Sequence, residues 1–467
     1  MGKSSDRKNL AKIRKKIAYL YPKKDTDKII LKLKSTMDYY RKNNIVRAKR
    51  KKYNSKISLT NKDVILITYG DTIRQEGEKP LKTLHKFLKK YVKKSISGVH
   101  ILPFFYYSSD DGFSVIDYKK VNSKLGDWED VVRICKDYRL MVDLVVNHIS
   151  RESKWFKGFL KGDEKYKNYF INFDKRVDTS SVFRPRTNPL LTKFKTKNGT
   201  KYIWTTFSND QIDLNYKNPD VLIDMIDILL FYVSKGVEII RLDAIAYLWK
   251  ELGTRCIHLK QTHKIVKLMR DVLNYVAPYT IIITETNVPP KENMSYFGNG
   301  YDESQLIYKF LLPPLVFDAF TRKDTSYLQK AYKIFWALNK NSLFFNFLAS
   351  HDGMGILGAR RMISPKDFNS LLATTKKHNG LISYKLAKNG KIAPYELNVT
   401  YFDAINNPNK KIAIEKKVKR FMASQVIMLL SKGIPGIYIH SLLGSRNYSL
   451  GVEKTGINRE INRGKLH

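Results

Sequence analysis

Residues 236–244, with the sequence Gly-Val-Glu-Ile-Ile-Arg-Leu-Asp-Ala, place an arginine and an aspartate at the end of a short apolar run. Side chains of a β-strand alternate between two faces, so Arg241 and Asp243 point to the same side. The arginine can keep the aspartate ionised through a charge-assisted hydrogen bond. The segment therefore predicts a strand that ends in a functional site, although one strand-end aspartate is as often a helix cap or turn residue.

Eight such apolar, β-branched runs follow one another from residue 64 onward, separated by helical patterns such as residues 219–234 and 261–276. Strands that alternate with helices are typical of a parallel sheet, and eight units predict a closed (β/α)8 TIM barrel. The predicted strands are residues 64–68, 99–102, 141–146, 237–242, 280–284, 306–310, 343–348 and 436–439.

Two intervals, after the third and the seventh strand, span about 90 residues each and are too long for a simple crossover. They predict insertions on the C-terminal face of the barrel, where substrates bind. A basic segment with rough helical periodicity precedes the first strand. The predicted organisation begins with a helical extension at residues 1–62. Three barrel parts follow at 63–148, 208–352 and 411–467, with the first insertion at 149–207 and the second at 353–410.

Other strand ends also carry polar residues: Asp143 with Asn147-His148, Glu285, and Ser350-His351-Asp352-Gly353. In this order the segments match the four short regions of the α-amylase superfamily, which the chain resembles from about residue 10 onward. Further segments resemble its sucrose phosphorylase branch, notably His100-Ile-Leu-Pro-Phe-Phe, Ser108-Ser-Asp-Asp-Gly-Phe113, Phe183-Arg-Pro-Arg186, Tyr247-Leu-Trp-Lys250 and Asn458-Arg459-Glu-Ile-Asn-Arg463.

The resemblance implies a retaining glycosidic mechanism, in which two carboxyl groups lie about 5 to 5.5 Å apart. Asp243 would be the nucleophile and Glu285 the acid/base with a raised pKa, while Asp352 would bind sugar hydroxyls. Asp110 and Arg459 would close the far end of a pocket for one glucose unit. Phe113 would contact the sugar ring, with packing in the core as the alternative role for this residue. The implied sugar contacts are Asp110, Phe113, His148, Phe207, Gln211, Arg241, His351 and Arg459.

The expected reaction is reversible phosphorolysis of a small α-glucoside resembling sucrose, sucrose 6-phosphate or glucosylglycerate, with inorganic phosphate as co-substrate. Hydrolysis and transglucosylation on the same scaffold remain alternatives, whereas the complete set of carboxylates disfavours a binding protein on an inactive barrel. The guanidinium groups of Arg184 and Arg186 can donate paired hydrogen bonds to phosphate or to an anionic acceptor. The alternative is that they brace their own loop. No cofactor is expected. No metal is expected either: Asn147 lies near a structural calcium in many α-amylases, but the phosphorylase branch generally lacks that ion.

The composition of the 467-residue chain is dominated by a net charge of +42. Because its lysines are spread along the whole chain, they predict solvated faces rather than a nucleic-acid interface, and Arg47–Lys52 is expected to be a solvated linker. Two cysteines, the lack of a long apolar run and the absence of an N-terminal apolar segment favour a cytoplasmic protein without a membrane span. The resemblance further implies an eighth helix and a small β domain beyond His467, so an uncovered barrel flank and a homodimer are expected.

Overall fold

A computed structural model describes residues 3–54, 56–336, 342–387 and 390–467. Its core is a closed barrel of eight parallel strands that neighbour one another in chain order, as predicted. Every strand has buried residues, because helices cover the outside of the sheet and side chains fill its interior. The strands β1 to β8 are Ile65–Thr68, Gly98–Ile101, Arg139–Val145, Ile239–Asp243, Ile281–Thr284, Leu306–Tyr308, Leu343–Asn346 and Ile434–Tyr438.

Two of the longer helices between these strands begin at sequence signals that supply free N–H groups of the first turn with acceptors. Asp127 forms a capping box with Asp130 at one helix, and Asn218 caps another that starts with proline. These helices pack around the barrel in the order expected of a (β/α)8 fold. Their bounds are Pro80–Phe87, Trp128–Asp137, Pro219–Ser234, Lys260–Val276, Leu312–Arg322, Ser326–Trp336 and Ile414–Leu430.

The N-terminal extension forms three helices, Lys3–Leu20, Thr26–Arg41 and Asn44–Lys52, which pack on the outer face of the barrel. Tyr40 donates a hydrogen bond to Asp227 at 3.0 Å. The interpretation of residues 47–52 as a solvated linker was wrong. Lys49 pairs with buried Glu238, and Arg50 donates to the carbonyl of Val276 at 2.8 Å, because the helix lies against the barrel.

Both long intervals contain small antiparallel sheets at the C-terminal ends of the barrel strands. The first insertion holds the helix Lys154–Lys161 and a three-stranded sheet, and the second holds the helix Pro365–Lys377 and another three-stranded sheet. The strands of these sheets are Asn172–Phe173, Leu191–Thr196 and Gly199–Trp204 in the first, and Met354–Gly355, Leu381–Leu386 and Ile392–Asn398 in the second. Both insertions contribute to the wall of the pocket described below.

One helix on the barrel surface carries an exposed apolar stripe. Along Ile414–Leu430, the side chains of Ile414, Val418, Met422, Val426, Leu429 and Leu430 face solvent at roughly helical spacing. Contiguous apolar surface of this kind favours association. In the part of the chain described, no helix combines the length and apolar character needed to cross a membrane.

Candidate active site

The end of β4 places Arg241 and Asp243 beside β3. Arg241 is fully buried and donates to Asp243 at 2.9 Å, and it also pairs with Asp143, its register partner on β3. His100 on β2 contacts the other oxygen of Asp143 at 2.7 Å. Burial would raise the pKa of Asp143, but Arg241 and His100 outweigh it and lower this pKa to about 2. A permanently ionised Asp143 therefore fixes the guanidinium that contacts Asp243.

Glu285 lies at the end of the neighbouring strand β5 and is partly accessible from the pocket. The backbone N–H of Ala244 donates to its Oε2 at 3.4 Å. Ala244 has a φ of 51°, a left-handed conformation that costs a non-glycine residue energy and is found at functional sites. β4 and β5 are hydrogen-bonded neighbours, and the contact from Ala244 adds a link between their C-terminal ends.

Asp243 and Glu285 have pKa values above those of ordinary carboxyl groups. Burial is the largest cause at both residues; neighbouring carboxylates add to it, and Arg241 opposes it. Because the guanidinium of Arg241 contacts Asp243 directly, the negative charge of the pair is stabilised on Asp243 and the proton on Glu285. The contact with Arg241 therefore favours the ionised form of Asp243, and Glu285 is the carboxyl group of this pocket that has a raised pKa and no such contact.

Asp352 follows β7 and is held by Arg459, whose Nη1 lies 2.6 Å from its Oδ1. Burial would raise the pKa of Asp352, but Arg459, and then His351 and Arg241, outweigh it and lower this pKa below its ordinary value. His351 stacks on Phe113 with ring centroids 4.8 Å apart. Burial lowers the pKa of His351 to about 3, so this imidazole is neutral at physiological pH.

Most residues predicted for the site converge on one pocket. His148 is buried, its Nε2 donates to the carbonyl of Phe113 at 2.9 Å, and the same nitrogen lies 3.2 Å from the amide nitrogen of Gln211. Arg241 stands behind Asp243 rather than on the surface of the pocket. The predicted residues that line it are Asp110, Phe113, His148, Arg186, Phe207, Gln211, Asp243, Glu285, His351, Asp352 and Arg459.

Arg184 is separated from this group. Its guanidinium donates to the backbone carbonyl of Asn188, and the side chain lines a different cavity. The pocket also contains residues that the sequence interpretation did not assign to it. They are Ala244, Ala246, Tyr247, Thr286, Asn287, Val288, Phe310, Gly353, Tyr395 and Glu396.

Two arginines near the C-terminal end of the chain organise one end of the pocket. Arg459 donates to Glu396 at 2.6 Å as well as pairing with Asp352. Arg463, which is buried, lies 2.8 Å from Asp111 and 3.6 Å from Asp110. Residues 458–463 are thereby joined to the second insertion through Arg459 and to the loop after β2 through Arg463. Tyr247 belongs to a quoted sequence motif, whereas Tyr395 and Glu396 carried no local signal.

A buried ammonium group braces the base of the first insertion. Lys250 lies 2.6 Å from Asp213 and donates to the amide oxygen of Asn147 at 2.6 Å, and all three side chains are buried. Among the described residues, no cluster of three or more His, Cys, Asp or Glu side chains could hold a metal ion. The oxygens of Asn147 and Asp213 thus both contact the positive charge of Lys250.

Replacing Lys250 with methionine is expected to destabilise the fold by about 3 to 5 kcal/mol, because it leaves the Asp213 carboxylate buried without its counter-charge. Thermal melting of the purified variant measures this loss. Lys366→Met removes a lysine from the surface of the chain and serves as the matched control. Equal melting temperatures for the two variants would contradict the role assigned to Lys250.

Comparison with known proteins agrees with this geometry. Residues 88–364 match the family model of the alpha-amylase catalytic domain. The chain is 54% identical over 411 residues to a glucosylglycerate phosphorylase of Spirochaeta thermophila, covering 88% of this chain and 69% of that enzyme. A second glucosylglycerate phosphorylase, from Allomeiothermus silvanus, is 50% identical, and the alignment covers 87% of this chain and 73% of that enzyme.

A solved structure shows the same architecture. The crystal structure of a sucrose 6F-phosphate phosphorylase from Thermoanaerobacter thermosaccharolyticum superposes with a TM-score of 0.77 at 28% identity, covering 88% of this chain and 82% of that one. The barrel, its charged strand ends and these relatives lead to one conclusion. The chain belongs to the alpha-amylase family, in the branch of the sugar phosphorylases.

Proposed function

We propose that this protein catalyses the reversible phosphorolysis of glucosylglycerate, with retention at the anomeric carbon. The observation that carries the proposal is the convergence of Asp243, Glu285 and Asp352 in a pocket that also contains Arg186. The glucosylglycerate phosphorylases share 50 and 54% of aligned residues with the chain, and the sucrose 6F-phosphate phosphorylase shares 28%. These values favour glycerate as the group released.

In the first half-reaction, the Asp243 carboxylate attacks the anomeric carbon of the glucosyl unit. The bond to the glycerate oxygen breaks as Glu285 transfers its proton to that oxygen, which leaves a β-glucosyl ester on Asp243. Asp352, held ionised by Arg459, accepts hydrogen bonds from sugar hydroxyls. These bonds strengthen as the ring approaches its oxocarbenium-like transition state.

In the second half-reaction, inorganic phosphate attacks the same carbon from the opposite face. Glu285, now a carboxylate, removes the proton of the attacking phosphate oxygen, and the ester bond to Asp243 breaks. The products are α-glucose 1-phosphate and the regenerated carboxylate. Both the attacking and the leaving groups are anions, which explains the need for a fixed positive charge near the mouth of the pocket.

Arg186 supplies that charge in the proposal. Its guanidinium lies between two aromatic rings, 5.6 Å from the centroid of Phe207 and 5.4 Å from that of Tyr395. Within the described part of the chain, its one hydrogen bond is to the carbonyl of Pro185 at 3.3 Å, and no carboxylate pairs with it. The rings hold the guanidinium in place while its N–H groups remain free for an anion.

Arg186→Ala is therefore expected to raise the KM for phosphate or for glycerate by more than about tenfold, the loss of one charge-assisted contact of about 1.4 kcal/mol. Hydrolysis of a neutral activated glucoside should change little. Arg184→Ala should change either KM by less than about threefold, because its side chain lies in another cavity. Steady-state kinetics in both directions test this, with the surface variant Arg176→Ala as the control. Equal effects at Arg184 and Arg186 would contradict the assignment.

The reaction itself is tested by incubating the enzyme with glucosylglycerate, sucrose, sucrose 6-phosphate and other α-glucosides, with and without phosphate. We expect phosphate-dependent formation of α-glucose 1-phosphate, fastest from glucosylglycerate. Equal release of glucose without phosphate would instead identify a hydrolase, and formation of new glucosides a transglucosidase. A faster reaction with sucrose would refute glycerate as the acceptor while retaining phosphorolysis.

A further inference from the structure

A second cavity, of about 600 Å³, lies beside the catalytic pocket and shares Val288 with it. It lies between the first and second insertions, and its volume is in the range of small-molecule sites. Five cationic side chains line it, whereas Glu292 is the single carboxylate residue among those lining it in the described chain. The cations are Arg184, Arg255, Arg360, Arg361 and Lys385.

These cations are poorly neutralised. Glu292 lies 4.0 Å from Arg255, at the limit of an ion pair, and also 3.4 Å from His258. Lys385 is half-buried, with its ammonium 4.6 Å from the ring centroid of Phe183. Burial, followed by repulsion from Arg360, Arg255 and Arg361, lowers the pKa of Lys385. Like charges that line one cavity repel one another unless an anion lies among them.

We propose that this cavity, named here the basic cavity, binds the phosphate group of a small molecule at a site separate from the catalytic pocket. A phosphate carries up to two negative charges and three acceptor oxygens, which suits several cations better than one carboxylate does. The hydroxyl-bearing residues Thr179 and Ser180 line the same cavity and add potential donors. Inorganic phosphate and a sugar phosphate share this chemistry, and either would lie next to the segment that follows Glu285.

Binding without turnover tests the proposal independently of the reaction. Isothermal titration of the Asp243→Asn protein with inorganic phosphate, and separately with glucose 6-phosphate, measures the affinity for each source. Arg360→Gln combined with Arg361→Gln removes two exposed charges from the basic cavity, and Lys376→Gln combined with Lys377→Gln removes two exposed charges elsewhere. Arg186→Ala reports binding in the catalytic pocket. Melting temperatures verify that each variant is folded.

We expect the arginine pair variant to raise the Kd of at least one probe by about tenfold or more, and the lysine pair variant by less than about twofold. That binding should persist in Arg186→Ala. If the arginine pair variant raises the Kd of inorganic phosphate alone, the basic cavity is a site for the co-substrate. If it raises the Kd of glucose 6-phosphate, the basic cavity is a site for sugar phosphates. No binding of either probe, equal losses in the two pair variants, or loss of all binding in Arg186→Ala would overturn the proposal.

Discussion

Asp243→Asn is expected to abolish glucosyl transfer, with a loss of kcat of at least about 10⁴-fold. The amide cannot form the glucosyl ester, and the remaining groups of the pocket can only bind substrate. The fold should be retained, because the amide oxygen can still accept from Arg241 and because Arg241 keeps its ion pair with Asp143. Release of α-glucose 1-phosphate, followed together with the melting temperature, measures both effects.

The control for this variant is Asp137→Asn, which replaces a partly exposed carboxylate that is hydrogen-bonded to His85 and lies outside the pocket, and which should remain near wild-type activity. A smaller variant, Asp243→Gly, leaves room for azide on the face from which the carboxylate attacks. With an α-glucosyl donor it should produce a β-glucosyl azide. Activity of Asp243→Asn within tenfold of wild type would refute the assignment of the nucleophile.

Glu285→Ala is expected to lower kcat for glucosylglycerate by about 10² to 10⁴-fold, the usual contribution of a positioned general acid. Substrates with good leaving groups, such as aryl glucosides or glucosyl fluoride, need no protonation and should lose far less in the first half-reaction. Azide should then attack the glucosyl ester from the opposite face and produce an α-glucosyl azide. Equal losses on poor and good leaving groups would count against the role of acid/base.

The pH dependence provides a further test of Glu285. Burial, with neighbouring carboxylates, raises its pKa, so its acid form persists to a higher pH than that of an ordinary glutamate. The kcat for glucosylglycerate should decrease as the pH rises through this pKa, because the leaving oxygen can no longer be protonated. In Glu285→Gln, assayed with an activated glucoside, this alkaline decrease should disappear. Its persistence would assign the titration to another group.

Much of the barrel, and the strand ends that carry the candidate catalytic groups, could be predicted from local sequence. Short β-branched runs predict strands, and a charged residue at the end of such a run is expected to reach the edge of the core or to have a counter-charge, because burying an unpaired charge is costly. The match of these strand ends to the four short regions of a known family then predicted that Arg241, Asp243, Glu285 and Asp352 belong to one site. The alternation of strands with helices predicted their convergence at one face of the barrel.

The insertions follow no such periodicity. Arg184 and Arg186 belong to the same short motif, and the sequence does not distinguish them. In the structure Arg186 lines the catalytic pocket and Arg184 lines the basic cavity. Tyr395 and Glu396 join the site from the strand Ile392–Asn398 of the second insertion, whose sequence contains no catalytic pattern. These positions depend on packing between segments far apart in the chain, which neither propensity nor spacing encodes.

Arg241 and Lys250 illustrate the difference between contacts that local sequence predicts and contacts that only tertiary packing decides. The contact between Arg241 and Asp243 can be predicted because the two residues are two positions apart on one strand, so their side chains point to the same side. The ion pair between Lys250 and Asp213 joins the segment after β4 to the strand Gln211–Asp213. Its formation requires the folded barrel to exclude water around both charges. The amino-acid order thus predicted the barrel and, together with the family resemblance, the carboxylates proposed as catalytic, whereas packing between distant segments decided the ion pairs around them, the position of Arg186 and the second cavity.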